Sequence, residues 1–268
     1  MIHQLITTMK RSTVWIAVLL TVMSFLPSSL QAQVLESGEE LTYAVSYLGV
    51  RLGTIRMTNE GKLDLNGKQV YKLKAYIDSR PGIPFVEIHT TFESWIDPSG
   101  TSSYQFVANT KDGDGWMYDK YVFNYPSKII TTEKWSNSVK KSSNQYSITK
   151  KYNDGCSLFY CARQLLYSKN SASIPTIVAE DTNTTKINFL GKIEPVDIDA
   201  SSYPVRTVYF DGDANWTGVY GVTGHFQGWF SDDAARVPIK AKMKLYLGSA
   251  LIELVSWKRK DWQPPKAD

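Results

Sequence analysis

The chain has 268 residues, of which 43% are hydrophobic and 13% aromatic, and its formal net charge is +4 at pH 7. This composition supplies enough apolar material for a large core, and the nearly balanced charge argues against a nucleic-acid-binding protein, which needs a concentrated basic face. Lys10 and Arg11 account for two of the excess positive charges, so the chain after residue 32 is close to neutral.

The first 32 residues have the pattern of an export signal. Lys10 and Arg11 precede an apolar run from Val14 to Leu26, and Pro27 and small residues lead to Ala32. A basic start, a short apolar stretch and a small residue before the cut are typical of a cleaved signal peptide. A membrane-spanning helix needs about 20 apolar residues, and this run is shorter. We expect cleavage after Ala32 and export as a soluble protein, to the periplasm or beyond, without a lipid anchor because no Cys lies near the cut.

Alternation of apolar and polar residues with a period of two dominates the remaining chain. The segments 41–47, 71–77 and 237–247 place apolar residues at every second position, and in the last of these the apolar residues alternate with Lys240, Lys242 and Lys244. Such alternation predicts strands with one buried and one solvent-exposed face. Turn signals such as Asn66-Gly67 recur at short intervals. We predict at least ten antiparallel strands, with the polar run 136–144 outside them.

One segment near the middle has helical spacing instead. From Cys156 to about Tyr167, apolar residues recur at helical intervals without Gly or Pro, and Asp154 is placed to cap the first turn. We predict one short helix. The chain's two cysteines, Cys156 and Cys161, would lie on different helix faces, too far apart for a disulfide, so both are predicted to be small buried side chains. They also fall short of a zinc ligand set.

Sequence motifs for common catalytic or metal chemistry are missing. The chain contains no Gly-x-Ser-x-Gly or His-Glu-x-x-His run, and His89 and His225 each lie in an alternating strand pattern. The runs 112–116 and 211–216 open like calcium loops, but they lack the Gly and Glu that such a loop requires at its sixth and twelfth positions. We predict turns there, and no metal or cofactor.

Paired carboxylates leave an enzyme acting on envelope glycans open as an alternative. A glycosidase needs two acids that flank the scissile bond at about 5 to 9.5 Å, and the spacing along the chain does not identify such a pair. The candidates are Glu87, Glu93, Asp97, Asp232, Asp233 and Glu253.

The stretch from Gly224 to Trp257 places two adjacent acids between two patterned runs. Asp232 and Asp233 follow Trp229 and precede Arg236. A hairpin corner is the favoured interpretation, in which the acids accept backbone hydrogen bonds and Arg236 pairs with one of them. Loops also carry function, so Trp229, Asp232, Asp233 and Arg236 are the candidate ligand-binding residues.

Four segments together resemble the bacterial exported family known as domain of unknown function 3108. They are Gly38–Met57, Phe92–Pro98, Asp154–Arg163 and Gly228–Leu254, and the likeness spans nearly all of the chain after the signal. The resemblance implies an exported, β-rich envelope protein with one domain over residues 33–268. It implies no reaction, cofactor or catalytic residue.

These observations lead to an all-β, mostly antiparallel fold, in which a curved sheet forms a barrel-like or two-layer sandwich structure with one short helix. Curved sheets with aromatic inner faces form clefts for apolar ligands. The leading hypothesis is therefore a non-enzymatic binding or carrier protein for a lipid-like or other envelope component. A glycan enzyme and a structural protein-interaction module are the alternatives.

Overall fold

Fourteen β-strands and one α-helix make up the part of the chain that the structure, a computed structural model, describes: residues 34–83, 87–221, 223–245 and 248–268. The predicted export signal and its cleavage point lie outside these residues. The elements are β1 Glu40–Tyr47, β2 Val50–Leu65, β3 Lys68–Ser79, β4 His89–Ile96, β5 Ser103–Asp112, β6 Gly115–Asn124, β7 Ile129–Ser136, β8 Val139–Ser147, α1 Ser157–Leu165, β9 Ser171–Val178, β10 Asp181–Val196, β11 Val205–Ala214, β12 Gly224–Ser231, β13 Pro238–Lys244 and β14 Ser249–Lys258. A 3-10 turn, Val219–Gly221, precedes β12.

The strands form one antiparallel sheet in which neighbours along the chain are usually neighbours in space. The order is β8-β7-β6-β5-β4-β3-β2-β1-β14-β13-β12-β11-β10-β9, and the pairing of β1 with β14 joins the two halves. The alternation seen in the sequence reappears as burial: Leu41, Tyr43 and Val45 of β1 are buried, and the residues between them are half-buried. The predicted antiparallel all-β fold is confirmed.

Strand β8 corrects the sequence interpretation of residues 136–144. That polar run was predicted to lie outside the strands, yet β8 pairs with β7 from Val139, opposite Ser136, to Ser147, opposite Ile129. All side chains of β8 are exposed or half-buried, so no apolar face marks the strand. The ladder to β7 relies on backbone groups, which every residue but Pro carries, and such pairing leaves no periodicity in the sequence.

The sheet curls until its two ends overlap. Ile174 on one face of β9 packs in the cluster that contains the helix, whereas Ile177 on the opposite face packs with Phe106 of β5. Asn153, in the segment before the helix, forms an isolated bridge to Thr176 of β9. β9 is therefore enclosed on both faces, inside β5 to β8. Of the two predicted arrangements, the structure has the barrel-like one, as an overlapping sheet that is not closed by strand pairing among the described residues.

The two ends of the curled sheet differ. Because successive strands are antiparallel, alternate connections lie at opposite ends. The helix end carries α1 and the connections β2–β3, β4–β5, β6–β7, β10–β11 and β12–β13. The opposite end, which we call the mouth, carries the turns β1–β2, β5–β6, β7–β8 and β9–β10 and the connections that precede β4, β12 and β14.

The helix α1 begins where Asp154 caps it, as predicted. Asp154 Oδ1 accepts hydrogen bonds from the backbone N–H groups of Cys156 at 2.8 Å and Ser157 at 2.9 Å. Its Oδ2 accepts from the hydroxyls of Ser94 at 2.5 Å and Ser103 at 2.7 Å. One buried carboxylate thus starts the helix and fastens it to β4 and β5.

Both cysteines are buried free thiols, which confirms the sequence prediction. Burial raises the pKa of the Cys161 thiol to about 11. The helix places Cys161 beside Leu158 and Phe210 in one apolar cluster, and Cys156 in another with Tyr160. The helix therefore fills the interior at its end of the sheet.

Gly212 in β11 packs so closely against its neighbours that a side chain does not fit. A Cβ atom there would lie 2.1 Å from the backbone oxygen of Lys186 and 2.5 Å from the ring of Phe226. The Lys186 oxygen cannot move without disturbing β10, so we expect Gly212→Ala to lower the free energy of unfolding by about 3 kcal/mol. In Gly155→Ala, whose Cβ would meet nothing within 4 Å, the change should stay below about 0.5 kcal/mol. Urea denaturation measures both, and equal losses would contradict this account.

Candidate functional site

Asp233, one of the four predicted site residues, organises the connection between β12 and β13. Its Oδ1 accepts hydrogen bonds from the Ser231 hydroxyl and from the backbone N–H groups of Ala235 and Arg236, each at 2.9 Å. Its Oδ2 accepts from the indole N–H of Trp262 at 2.8 Å. These bonds are those of the hairpin corner that the sequence favoured, and they also fasten the carboxyl-terminal segment.

Asp232 and Arg236 connect the same corner to other elements. Asp232 Oδ2 accepts a hydrogen bond from Arg206 Nε at 2.7 Å. The Nη1 group of Arg236 donates to the backbone oxygens of Arg163 at 2.9 Å and Gln164 at 2.8 Å. The expected pairing of the Arg236 side chain with a neighbouring Asp is wrong, because the last carbonyls of α1 lack partners within the helix and recruit the guanidinium.

Trp229 makes contacts that are separate from those of the corner. It lies on the convex face of β12, where its indole N–H donates to Glu194 Oε2 at 2.7 Å. Its ring centroid is 5.5 Å from that of Tyr209 on β11. The structure therefore brings Asp232, Asp233 and Arg236 together and places Trp229 elsewhere.

The remaining candidate acids are each bonded to neighbours of their own. Asp97 accepts hydrogen bonds within its turn, from Ser99, Thr101 and Ser102. The ion pairs are Glu87 with Lys111, Glu93 with Lys72 and Lys74, and Glu253 with Lys240. This arrangement lends no support to a facing pair of catalytic carboxylates.

On the concave face, buried residues predominate near the helix end, whereas half-buried apolar residues are interspersed with buried ones towards the mouth. Near the helix end, Leu41, Leu73 and Ile96 are at most 1% exposed. Towards the mouth, Ile55 stands opposite the buried Tyr43 and Ile252 opposite the buried Val45, so both side chains point inward. The half-buried apolar residues of this region are Tyr47, Ile55, Phe92, Phe226, Ala241, Met243 and Ile252. We call this set the mouth-side interior.

A charged cluster borders the mouth-side interior. Phe92, Ala108, Asp119 and Lys134 are successive cross-strand partners on β4 to β7, so the two charged residues share the concave face with Phe92. Lys134 Nζ lies 2.7 Å from the Oε2 atom of Glu180, which comes from the β9–β10 turn at the overlapping end of the sheet. The interior thus has an apolar part and a charged part.

The ionisation of this cluster depends on burial and on its internal bonds. Burial raises the pKa of Asp119, and the charge of Lys134 only partly opposes the shift. Burial would also raise the pKa of Glu180, but the hydrogen bonds from Lys134 and Thr132 outweigh it, so this pKa lies below its usual value. Asp119 Oδ1 is buried and has no hydrogen-bond partner among the described residues.

The turn that carries Glu180 is held in a strained conformation. Ala179 and Glu180 have φ angles of +51° and +67° and form a two-residue hairpin loop, a position that favours Asn and Gly. The Glu180 backbone N–H donates to the Tyr121 hydroxyl at 3.1 Å, and Thr132 Oγ1 donates to Glu180 Oε1 at 2.7 Å. Contacts with the opposite end of the sheet therefore hold the turn in place.

Sequence reasoning missed Asp119, Lys134 and Glu180 as a group. They are far apart in the chain and match no motif. A signal was nevertheless present, because Asp119 continues the inward positions of Tyr121 and Phe123, and Lys134 continues those of Ile130. A charge at an inward position of a strand is unusual and marks a candidate site.

An overlapping antiparallel sheet with a helix packed inside one end defines a barrel-like all-β protein. The chain is similar in fold to a solved crystal structure, that of a β-barrel-like protein of domain of unknown function DUF1849 from Brucella abortus. The likeness has a TM-score of 0.55 and covers 85% of this chain and 100% of the other, at 11% sequence identity. At that identity it shows the fold alone.

The chain belongs to the family described as "Protein of unknown function (DUF3108)", which matches residues 42–255. The family resemblance drawn from the sequence is thereby confirmed. A search of curated proteins found no significant match. In the described part of the chain, no helix is long and apolar enough to cross a membrane, and no cluster of three or more His, Cys, Asp or Glu residues could hold a metal ion.

Proposed function

We propose that this protein is a non-enzymatic binding or carrier protein that holds a lipid-like molecule in the mouth-side interior. The observation that carries the proposal is the half-buried inward apolar surface formed by residues such as Ile55, Phe92 and Ile252. Apolar side chains that face inward in a folded domain are ordinarily covered by other side chains. A long apolar ligand would cover them and would bury apolar area at about 25 cal/mol per Å².

The charged cluster supports an amphipathic ligand rather than a purely apolar one. Asp119 Oδ1, for which the described part of the chain supplies no hydrogen-bond donor, is an acceptor, and a buried acceptor without a partner costs about 1–3 kcal/mol. A ligand whose head carries a hydroxyl or an amine would donate to it, while the apolar tail would lie along Phe92 of the mouth-side interior, two strands away. Lys134, with a side chain 31% exposed, lies beside this position.

Export also belongs to the proposal and rests on the amino-terminal sequence. The basic start, the short apolar run and Ala32 are the features of a cleaved signal. A soluble carrier outside the cytoplasm would suit molecules of the cell envelope that do not dissolve in water. Mass determination of the protein recovered from the medium or periplasm would detect cleavage after Ala32, and an intact amino terminus would contradict this part.

The binding proposal is tested by filling the mouth-side interior. Ala241 of β13 is half-buried and faces Ile252, so Ala241→Trp should occupy the space of the ligand. The matched control is Lys242→Trp, on the exposed opposite face of the same strand. With the fluorescent long-chain acid cis-parinaric acid as probe, we expect Ala241→Trp to weaken binding at least about tenfold and Lys242→Trp to change it less than about twofold.

Two outcomes would overturn the proposal. One is equal binding by the two variants. The other is a parent protein that neither binds the probe nor carries copurified lipid in native mass spectrometry. Circular dichroism of both variants would establish that Ala241→Trp retains the strand content of the parent protein.

A further inference from the structure

Large apolar side chains protrude into solvent at the mouth. Leu48 in the β1–β2 turn is 78% exposed, and Val50, the first residue of β2, is 54% exposed. Trp116 at the start of β6 is 49% exposed, and Val139 at the start of β8 is 57% exposed. All four lie at or beside turns of the mouth, so exposed apolar groups are present on several connections at this end of the sheet.

The backbone at Leu48 makes its exposure unusual. Tyr47 pairs with Val50, so Leu48 and Gly49 form a two-residue hairpin loop, with φ angles of +47° and +79°. Such a loop favours Asn or Asp followed by Gly. Leu48 is disfavoured there both by its left-handed conformation and by its contact with water. Because both the backbone conformation and the exposure of Leu48 are unfavourable in the free protein, we infer that its side chain contacts a binding partner.

The distribution of these groups suits a lipid surface. Strands are about 4.8 Å apart, so β2 and β6 are separated by about 19 Å along the sheet, and Leu48 and Trp116 cannot form one continuous patch. A protein interface needs a contiguous, closely packed core, whereas separate aliphatic and indole groups can each enter a bilayer surface. Trp favours the boundary between lipid and water because its ring is apolar and its N–H is polar.

The charges at the mouth permit this contact. The exposed cations Arg51 and Lys244 lie at the mouth ends of β2 and β13, and the exposed acids Asp112 and Asp114 lie at the β5–β6 turn. Because charges of both signs are present, we expect the apolar groups, rather than net attraction to anionic lipids, to drive binding to the bilayer.

We propose that the mouth docks on the surface of a lipid bilayer through Leu48, Val50, Trp116 and Val139. This inference extends the proposed function, because docking at the mouth would let a lipid-like ligand pass between the bilayer and the mouth-side interior without crossing water. The partner is the bilayer surface itself, contacted by side chains at the turns.

The docking proposal is tested by flotation with vesicles of phosphatidylethanolamine and phosphatidylglycerol. The variant combines Leu48→Asn, Trp116→Thr and Val139→Thr, which suit a turn and strand positions and should preserve the fold. We expect the vesicle-bound fraction of this variant to be at least about tenfold smaller than that of the parent protein. The control combines Leu190→Asn and Ile193→Thr, since these residues are 63% and 51% exposed but lie in the part of β10 away from the mouth.

The control should bind vesicles like the parent protein. A parent protein that does not float with vesicles, or an equal loss in the two variants, would overturn the docking proposal. Cis-parinaric acid binding in solution separates this result from the proposed function. If docking fails alone, the probe still binds the parent protein; if the carrier role fails alone, vesicles bind the parent protein but the probe does not.

Discussion

Glu39→Gln is expected to lower the free energy of unfolding by about 3–5 kcal/mol, because it leaves two buried guanidinium groups without their carboxylate. Glu39 is 1% exposed and accepts hydrogen bonds from Arg163 Nη1 at 2.7 Å and Nη2 at 3.0 Å. Arg259 donates to the same carboxylate from the carboxyl-terminal side of β14. An amide offers one acceptor and no charge, so neither arginine would be fully compensated.

The neighbouring residue supplies a control for this prediction. Glu40 also pairs with an arginine, Arg56, at 3.2 Å, but both side chains are 42% exposed. Water screens such a pair, so Glu40→Gln should change the free energy of unfolding by less than about 1 kcal/mol. Urea denaturation of the two variants measures the difference, and similar values would refute the role given to burial.

Acid should weaken the fold through the same group. Burial opposes ionisation of Glu39, but the charges and hydrogen bonds of Arg163 and Arg259 outweigh it, so its pKa in the folded protein lies below the usual value. A carboxyl with a depressed pKa contributes stability that is present above its unfolded pKa, about 4.3, and lost as pH falls through the folded pKa. The parent protein should therefore lose stability below about pH 4 more steeply than Glu39→Gln does.

Asp154→Ala is expected to lower the free energy of unfolding by about 3 kcal/mol or more, because it leaves several buried donors unsatisfied. The Asp154 carboxylate accepts hydrogen bonds from two serine hydroxyls and from the backbone N–H groups of Cys156 and Ser157. Asp154 is fully buried. Loss of these bonds would remove both the helix cap and the attachment of α1 to β4 and β5.

Asp154→Asn is the informative comparison. The amide oxygen can still accept from Cys156 and Ser157, and burial raises the pKa of Asp154, so removing its charge also removes a desolvation cost. We expect a loss less than half that of Asp154→Ala, measured by urea denaturation with the helical signal followed by circular dichroism. If Asp154→Ala is tolerated, the carboxylate does not anchor the helix.

Local patterns along the chain were enough to predict most strands and the helix, but not the contacts of the candidate site residues. The alternation at 41–47 and 71–77, the helical spacing after Cys156 and the cap at Asp154 are all present in the structure, because each depends on residues close in sequence. Strand β8 could not be found, since an edge strand without a buried face carries no periodicity. Arg236 was assigned to a neighbouring acid, and the structure directs it to the carbonyls of α1.

The all-β class, the one short helix of the described residues, the buried cysteines and the family follow from residues close together in the chain, because strand and helix periodicity and family segments are local properties. The overlap of the sheet, the ion pair of Glu180 with Lys134 across it and the half-buried state of the mouth-side interior are visible only in the folded chain. These features depend on the curl accumulated over fourteen strands. The small twist at each strand is not encoded by any one residue, so contacts between the ends of the sheet cannot be derived from patterns along the chain.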